Sequence, residues 1–378
     1  MKRHLMRLAT GLAAVALAGC SSFPFFGSDD YKPGPLPEYH PKASATALWQ
    51  LALGASGPGF APTIVGRKVF VALPDGSVLA LDLDNGQVLW RVSAGTPLSA
   101  GAGSDGEVIA VATAKGAVHT FDAQGKPLWQ AQVSSEVLAS PRVAEGVVAV
   151  WSGDGRIFGF EAKSGSRKWV YQRSTPALTL RSHANGLSHR GGLFTGAPGG
   201  KLVAMDLASG AVGWEASIAT PKGATELERI ADITSPPVVD DRQVCAVAFQ
   251  GRLGCFDIVR GTLLWSREIS SHAGLTGDSR ALYVTDDKGQ IHALDRATGA
   301  SIWKQDKLAK RRPGAPQLAG EHLAVTDSEG FLHLVDRGDG ALVGRLALDG
   351  QAGGQATATN DGVLLLSRKG NLFRIRAQ

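Results

Sequence analysis

The chain has 378 residues, 44% hydrophobic and 19% charged, with 48 glycines. Its 39 Lys and Arg against 34 Asp and Glu give a formal +5, and removal of a leader carrying Lys2, Arg3 and Arg7 takes this to +2. Without an aromatic-interleaved basic stripe, that excess gives no support for a nucleic-acid partner, and the glycine content fits many hairpin turns rather than disorder.

Met1–Leu17 has a basic start and an apolar stretch, Leu8–Leu17, too short to span a bilayer as a mature helix. It runs into Leu17-Ala18-Gly19-Cys20. Small residues before a cysteine, directly after an apolar segment, resemble a bacterial lipobox. The resemblance implies cleavage before Cys20 and diacylglycerol on its sulfur. The alternative is an ordinary signal peptide with a chance cysteine, but Cys20 sits where cleavage should fall. At about 0.8 kcal/mol per buried CH2, two or three acyl chains hold a soluble domain on a membrane. Ser21 stands where inner-membrane retention signals carry Asp, which points to the outer membrane and a periplasm-facing protein. Ser21–Ala45 then holds Pro24, Pro33, Pro35, Pro37 and Pro41, which prevent a helix or central strand and make a tether. We expect a leader at 1–19, a lipidated tether at 20–45 and a folded ring at 46–378.

From here one unit recurs, clearest at Lys288–Trp303. Gly289 makes a tight turn, Ile291 to Leu294 form a strand, Asp295 to Gly299 a second turn, and Ile302 and Trp303 start the next strand. The first glycine recurs as Gly76, Gly116, Gly155, Gly200, Gly251, Gly289, Gly330 and Gly370, at intervals of 38 to 51 residues. The acidic position is Asp82, Asp122, Glu161, Asp206, Asp257, Asp295 and Asp336. The closing tryptophan is Trp90, Trp129, Trp169, Trp214, Trp265 and Trp303, with Gly344 the one defector. Units of about 40 residues with four short strands predict an all-β β-propeller, since no unit buries its faces alone. The eighth copy ends at Gln378 without a closing strand, whereas Ala47–Leu53, with Trp49, precedes the first copy as an orphan. The N-terminal strand is therefore expected to complete the last of eight blades and remove an exposed edge. One tryptophan per blade at fixed phase reads as inter-blade packing, and the acidic series as turn chemistry rather than a metal ring.

Two long intervals hold insertions, Ser174–Gly192 and Ala219–Ser235, and insertions in a propeller map to loops on its faces. His183 and His189 lie in the first with no nucleophile paired to them, so no catalytic residue is assigned. No metal ligand set is assigned either, since C-x-x-C and H-E-x-x-H are absent. Cys245 and Cys255 flank the turn at Gln250-Gly251. A three-residue loop sets them opposite each other and allows a structural disulfide; a two-residue loop puts them out of register. Lys307–Arg312, with four cations, reads as a solvated loop. Trp151 is the sole tryptophan off the docking phase. It lies in an apolar strand, which gives little support to a polysaccharide-binding platform.

The pattern A-x-D-x-x-T-G-x-x-x-W at Ala293–Trp303 resembles the repeat of quinoprotein dehydrogenases, whose eight blades carry the same tryptophan. That resemblance implies a PQQ-dependent enzyme as the rival reading. Such enzymes use adjacent cysteines and calcium ligands, and this chain has no adjacent cysteines. No cofactor is expected.

A resemblance over nearly the whole chain is to the BamB family, propeller lipoproteins of the outer-membrane β-barrel assembly machinery. It rests on the lipobox, the tether, the eight repeats, Leu178-Thr-Leu180-Arg181, and Ala224-Thr-Glu-Leu-Glu-Arg-Ile-Ala-Asp232 with Pro236-Pro-Val-Val239 beyond it. It implies a non-enzymatic scaffold that docks on BamA among the other machinery subunits and assists insertion of outer-membrane proteins. Its work would be to position BamA's soluble domains or, as the alternative, to hold nascent outer-membrane strands by addition to exposed blade edges, which nothing in the sequence selects. By match, Leu178, Leu180, Arg181 and Asp232 are the expected partner-binding residues. The family's second acidic residue, two positions after Asp232, is Thr234 here. Arg181 pairing with an acidic neighbour inside the ring, such as Asp232, is the competing expectation for that arginine.

Overall fold

The computed structural model describes residues 32–174, 176, 178–181, 184–220, 223–350 and 356–378. The leader, Cys20, the start of the tether and His183 lie outside them. The repeat folds as its residues require. In the sixth blade Ala281–Thr285 pairs antiparallel with Ile291–Asp295, and the turn between them ends on Gly289 at φ 75°, where a β-carbon is strained. Asp295 Oδ1 then accepts the hydroxyl and the N–H of Thr298 at 2.7 and 2.8 Å. Those two bonds hold its carboxyl below the usual carboxylate range, so the acidic position is turn chemistry. On the outer strand Ser301 lies opposite Leu294 and Trp303 opposite Ala293, leaving Ile302 bulged out between them.

Eight four-stranded antiparallel sheets form in this way. Middle strands such as Val108–Ala112 are buried throughout, because neighbouring blades cover both faces, and so read as unbroken apolar runs. Outer strands such as Val88–Ser93 alternate between exposed and half-buried positions.

The ring closes where the sequence places the closure. Ala45–Ala52 is the outer strand of the eighth blade, with Leu51 opposite Leu372 of Asn371–Ala377. Trp49 docks from there onto the first blade: its Nε1 donates to the Leu83 carbonyl at 3.0 Å. A β-carbon on Gly86 would come within 2.7 Å of the indole. Trp90, Trp129, Trp169, Trp214, Trp265 and Trp303 make the same bond to the following blade at 2.8–3.0 Å.

Gly344 has no indole because the incoming chain fills that place. Lys42 and Ala43 both donate to the Val343 carbonyl, at 3.0 and 3.1 Å, and a β-carbon on Gly344 would meet the Ala43 carbonyl oxygen at 2.7 Å. Arg345 donates to the Pro37 carbonyl and sets its guanidinium 4.8 Å from the Tyr39 ring centre. Residues 37–44, expected in the tether, therefore pack on the ring.

Lys307–Arg312 differs from the solvated loop expected. Ala309–Arg311 is a short 3-10 turn, and Arg311 is buried, with Nε donating to Asp327 Oδ2 at 2.7 Å. His333 Nε2 meets the same oxygen at 2.9 Å, while its Nδ1 accepts from Arg345 Nε at 3.4 Å. A cation run in sequence conceals one member that turns inward to a buried carboxylate.

Candidate functional site

Connections from an outer strand to the next inner strand share one face of the propeller with the turns between the two middle strands. Both insertions lie on that face. The first joins Arg167–Gln172 of the third blade to Leu187–His189 of the fourth. The second joins Val212–Ser217 to Val238–Val239 of the fifth.

Within the second insertion, Thr225 and Glu228 cap each other. Glu228 donates its N–H to Thr225 Oγ1 at 3.3 Å, and its carboxylate accepts the N–H groups of Thr225 and Ala224 at 3.0 and 2.7 Å. Those backbone donors hold the Glu228 carboxyl below its usual range. The loop then dives inward to Asp232, which is 5% exposed. Its Oδ2 accepts the N–H of Leu180 at 2.6 Å, and its Oδ1 accepts the N–H of Gly199 in the fourth-blade turn at 2.9 Å. One carboxylate thus ties both insertions to the ring.

The tie presents the first insertion outward. Leu178 is 44% exposed, and Leu180 is half-buried. The Arg181 side chain is 71% exposed and pairs with Glu136, on the connection from the second to the third blade, at 2.6 Å. The competing expectation for this arginine, a pair with an acidic neighbour within the ring, is met by Glu136 rather than by Asp232.

Beneath Leu180 lies a cavity of ≈ 190 Å³ between the third and fourth blades, with Leu138, Trp151, Ile157, Leu180 and Ile233 on its walls. Arg156, Arg173 and Arg181 stand at its edge. Trp151 Nε1 donates to Thr195 Oγ1 at 2.9 Å, which fixes the indole as a wall. On the outer side Tyr171 donates to Glu215 at 2.9 Å and Arg173 pairs with the same carboxylate, so the two outer strands are clamped. Burial, then Glu215, pushes the Tyr171 hydroxyl above its usual range. Burial alone would raise Asp154, but the hydroxyls of Ser134 and Ser152 and the neighbouring Arg156 leave it below the carboxylate range. The site is an apolar cleft with fixed charges at its edge, suited to gripping a protein surface.

Sequence reasoning missed Glu136 and the role of Trp151; the phase anomaly of Trp151 was its one signal. Thr234, in place of the family's acid, donates to the His272 carbonyl at 3.1 Å. Among the described residues no group of three or more His, Cys, Asp or Glu is arranged to hold a metal. His189 lies 2.7 Å from Asp241, a pairing between blades. Cys245 and Cys255 are direct partners in the ladder and are joined, at 2.00 Å between sulfurs. Their hairpin has the three-residue loop Phe249–Gly251, with Ala248 donating to the Arg252 carbonyl at 3.0 Å.

A family model described as "Outer membrane protein assembly factor BamB" matches residues 74–305. A protein of that name from Bordetella pertussis is 44% identical over 97% of this chain and 95% of its own. Another, from Burkholderia pseudomallei, is 37% identical over 100% of this chain and 99% of its own. Among solved structures, BamB from Moraxella catarrhalis superposes with a TM-score of 0.80 at 24% identity, covering 88% of this chain and 99% of that one. A quinohemoprotein alcohol dehydrogenase from Pseudomonas putida HK5 reaches 0.68 at 11% identity, covering 88% of this chain and 76% of that one, a likeness of fold alone.

Proposed function

This chain belongs to the BamB family of outer membrane protein assembly factors, and from that premise we propose that it is a lipid-anchored scaffold that docks on BamA. Docking uses the face where the two insertions meet. Leu178 and Leu180 offer apolar surface, Arg181 offers a planar five-donor group beside it, and Asp232 holds both leucines' loop in place rather than touching the partner. The observation that carries this reading is the Asp232 tie: a buried carboxylate spent on ordering an exposed loop above an apolar cleft. Exposed loops that a protein orders from below are where binding is found.

The anchor is Cys20, and its lipid holds the ring at the outer membrane facing the periplasm. The role is positional: a rigid eight-bladed body presents one face to BamA and so fixes the orientation of BamA's soluble part. Affinity capture with the tagged chain from detergent-solubilised envelopes tests this. BamA should be recovered together with other assembly subunits; envelopes that yield the tagged chain without BamA overturn the docking assignment.

A further inference from the structure

We propose that the Cys245–Cys255 cross-link is a positioning element for the docking face, acting through the turn Phe249–Gly251 on the second insertion. The proposal rests on the reading that these loops dock a partner, and it names what keeps them in shape.

Both sulfurs are fully buried in the two middle strands of the fifth blade. The turn they enclose is the ledge on which the second insertion rests. Phe249 donates its N–H to the Asp232 carbonyl at 2.8 Å. The Gln250 amide, oriented with its NH2 toward the loop, donates to the Glu228 and Ile230 carbonyls at 2.9 and 3.1 Å. At the other end of the insertion, Arg252 Nε donates to the Ile218 carbonyl at 3.3 Å, and a β-carbon on Gly251 would come within 2.6 Å of the Ala219 side chain. Both ends of the insertion therefore sit on this hairpin tip. Asp232 then passes the constraint to Leu180 and Gly199 through its carboxylate.

The tip itself needs support. In the sixth blade the left-handed residue of the matching turn is Gly289 at φ 75°, the counterpart of Gly251; here it falls one position earlier, on Gln250 at φ 48°. Residues with a β-carbon adopt that region reluctantly. Gln250 is held there by its bonds to the insertion and by donating its N–H to Ser270 Oγ at 2.8 Å. A cross-link spanning ten residues confines the tip in any opened state and favours reclosure. Tip and insertion thus order each other, and the disulfide limits how far the hairpin's own two strands can splay beneath the insertion.

The test is amide exchange on the full-length protein carrying Cys245→Ala and Cys255→Ala together, which leaves no free thiol at the site. Exchange at Phe249, Leu180 and Gly199 should quicken about tenfold or more, while Val71 and Val325, in buried strands of the first and seventh blades, stay at wild-type rates. Unchanged exchange at the first three overturns the proposal. So does uniform quickening everywhere, which marks a merely structural bond. Gln250→Ala covers the case in which the double variant folds poorly, since Gln250 is exposed and the cross-link stays intact. It should quicken Leu180 and Gly199 in the same way, and wild-type protection there overturns the turn as the relay. BamA capture on the same preparations separates the two layers. Capture should fall with loop loosening; local loosening with full capture overturns the docking assignment and leaves the brace standing.

Discussion

The carboxylate of Asp232 accepts the backbone N–H of Leu180 at 2.6 Å across 52 positions of sequence. The second acceptor bond, from Gly199, engages its other oxygen, and at 5% exposure the group is buried away from a partner's arginine or lysine. Asp232→Ala therefore strands two backbone donors, at about 1–3 kcal/mol each where they stay buried. We predict a lower denaturation midpoint together with weak BamA capture. Asp232→Asn, which keeps one good acceptor, should recover part of both. Wild-type capture by Asp232→Ala would show that the first insertion does not depend on this tie.

Arg181 behaves in the opposite way. Its pair with Glu136 is exposed and is worth about 0–1 kcal/mol to the fold. Arg181→Ala should leave the thermal midpoint near wild type. If a partner carboxylate buries against the guanidinium, the same substitution costs about 2–5 kcal/mol of binding. Arg260→Ala, an exposed cation in a turn of the fifth blade, is the control and should leave capture unchanged. Equal capture by Arg181→Ala and Arg260→Ala removes Arg181 from the docking surface.

The ring was legible in the sequence because its determinants repeat: a turn glycine, an acidic turn residue and an indole return at one spacing. The gap at Gly344 was visible, but its cause was not. The chain that fills it is Lys42–Ala43, which bonds through backbone atoms that carry no residue signature. The site was half legible for the same reason. Leu180, Arg181 and Asp232 do come together at one cleft, with Leu178 exposed just before them in the chain, yet the partners of Asp232 are N–H groups that any residue could supply. Arg311 was misread because charge runs report solvent exposure on average, while a single buried acid such as Asp327 reverses it for one member.

Asp327 sets an acid limit on stability. Burial raises its carboxyl, but His333, the Phe331 N–H and Arg311 outweigh burial and leave it below the usual carboxylate range. A group depressed in the folded state contributes stability above its unfolded pKa and loses it as pH falls through the folded value. The wild-type midpoint should therefore drop on acidification below the ordinary carboxylate range. Asp327→Asn removes the buried carboxylate that pairs with Arg311, and breaking such a pair costs about 3–5 kcal/mol. It should be less stable at neutral pH and less sensitive to acid. A variant as acid-sensitive as wild type would assign that sensitivity to other carboxylates.

The anchor has a direct chemical readout. Cys20→Ala removes the sulfur that would carry diacylglycerol, since the other cysteines are bonded to each other. Metabolic labelling with palmitate should lose its signal from the variant and leave an unprocessed precursor. Undiminished label would end the lipoprotein assignment.

Closure of the ring can be measured at Trp49. Its indole joins the strand nearest the N-terminus to the first blade through the Leu83 carbonyl, while Leu51 pairs with Leu372 in the eighth. Removing the ring takes away packing on Gly86 and that hydrogen bond. Large-to-alanine changes at buried aromatic sites cost about 3–5 kcal/mol, and the half-buried position of Trp49 places it near the lower end. The loss should also appear as opening at one place. Amides of Asn371–Ala377, which depend on the closing strand as an edge partner, should exchange faster than those of the fourth blade, on the far side of the ring. Gly344→Ala attacks the neighbouring junction independently, because its new β-carbon meets the Ala43 carbonyl oxygen and must displace the incoming segment. It should destabilise by about 1–3 kcal/mol. If Trp49→Ala unfolds at the wild-type midpoint with no local opening, the N-terminal strand covers the last blade without fastening it.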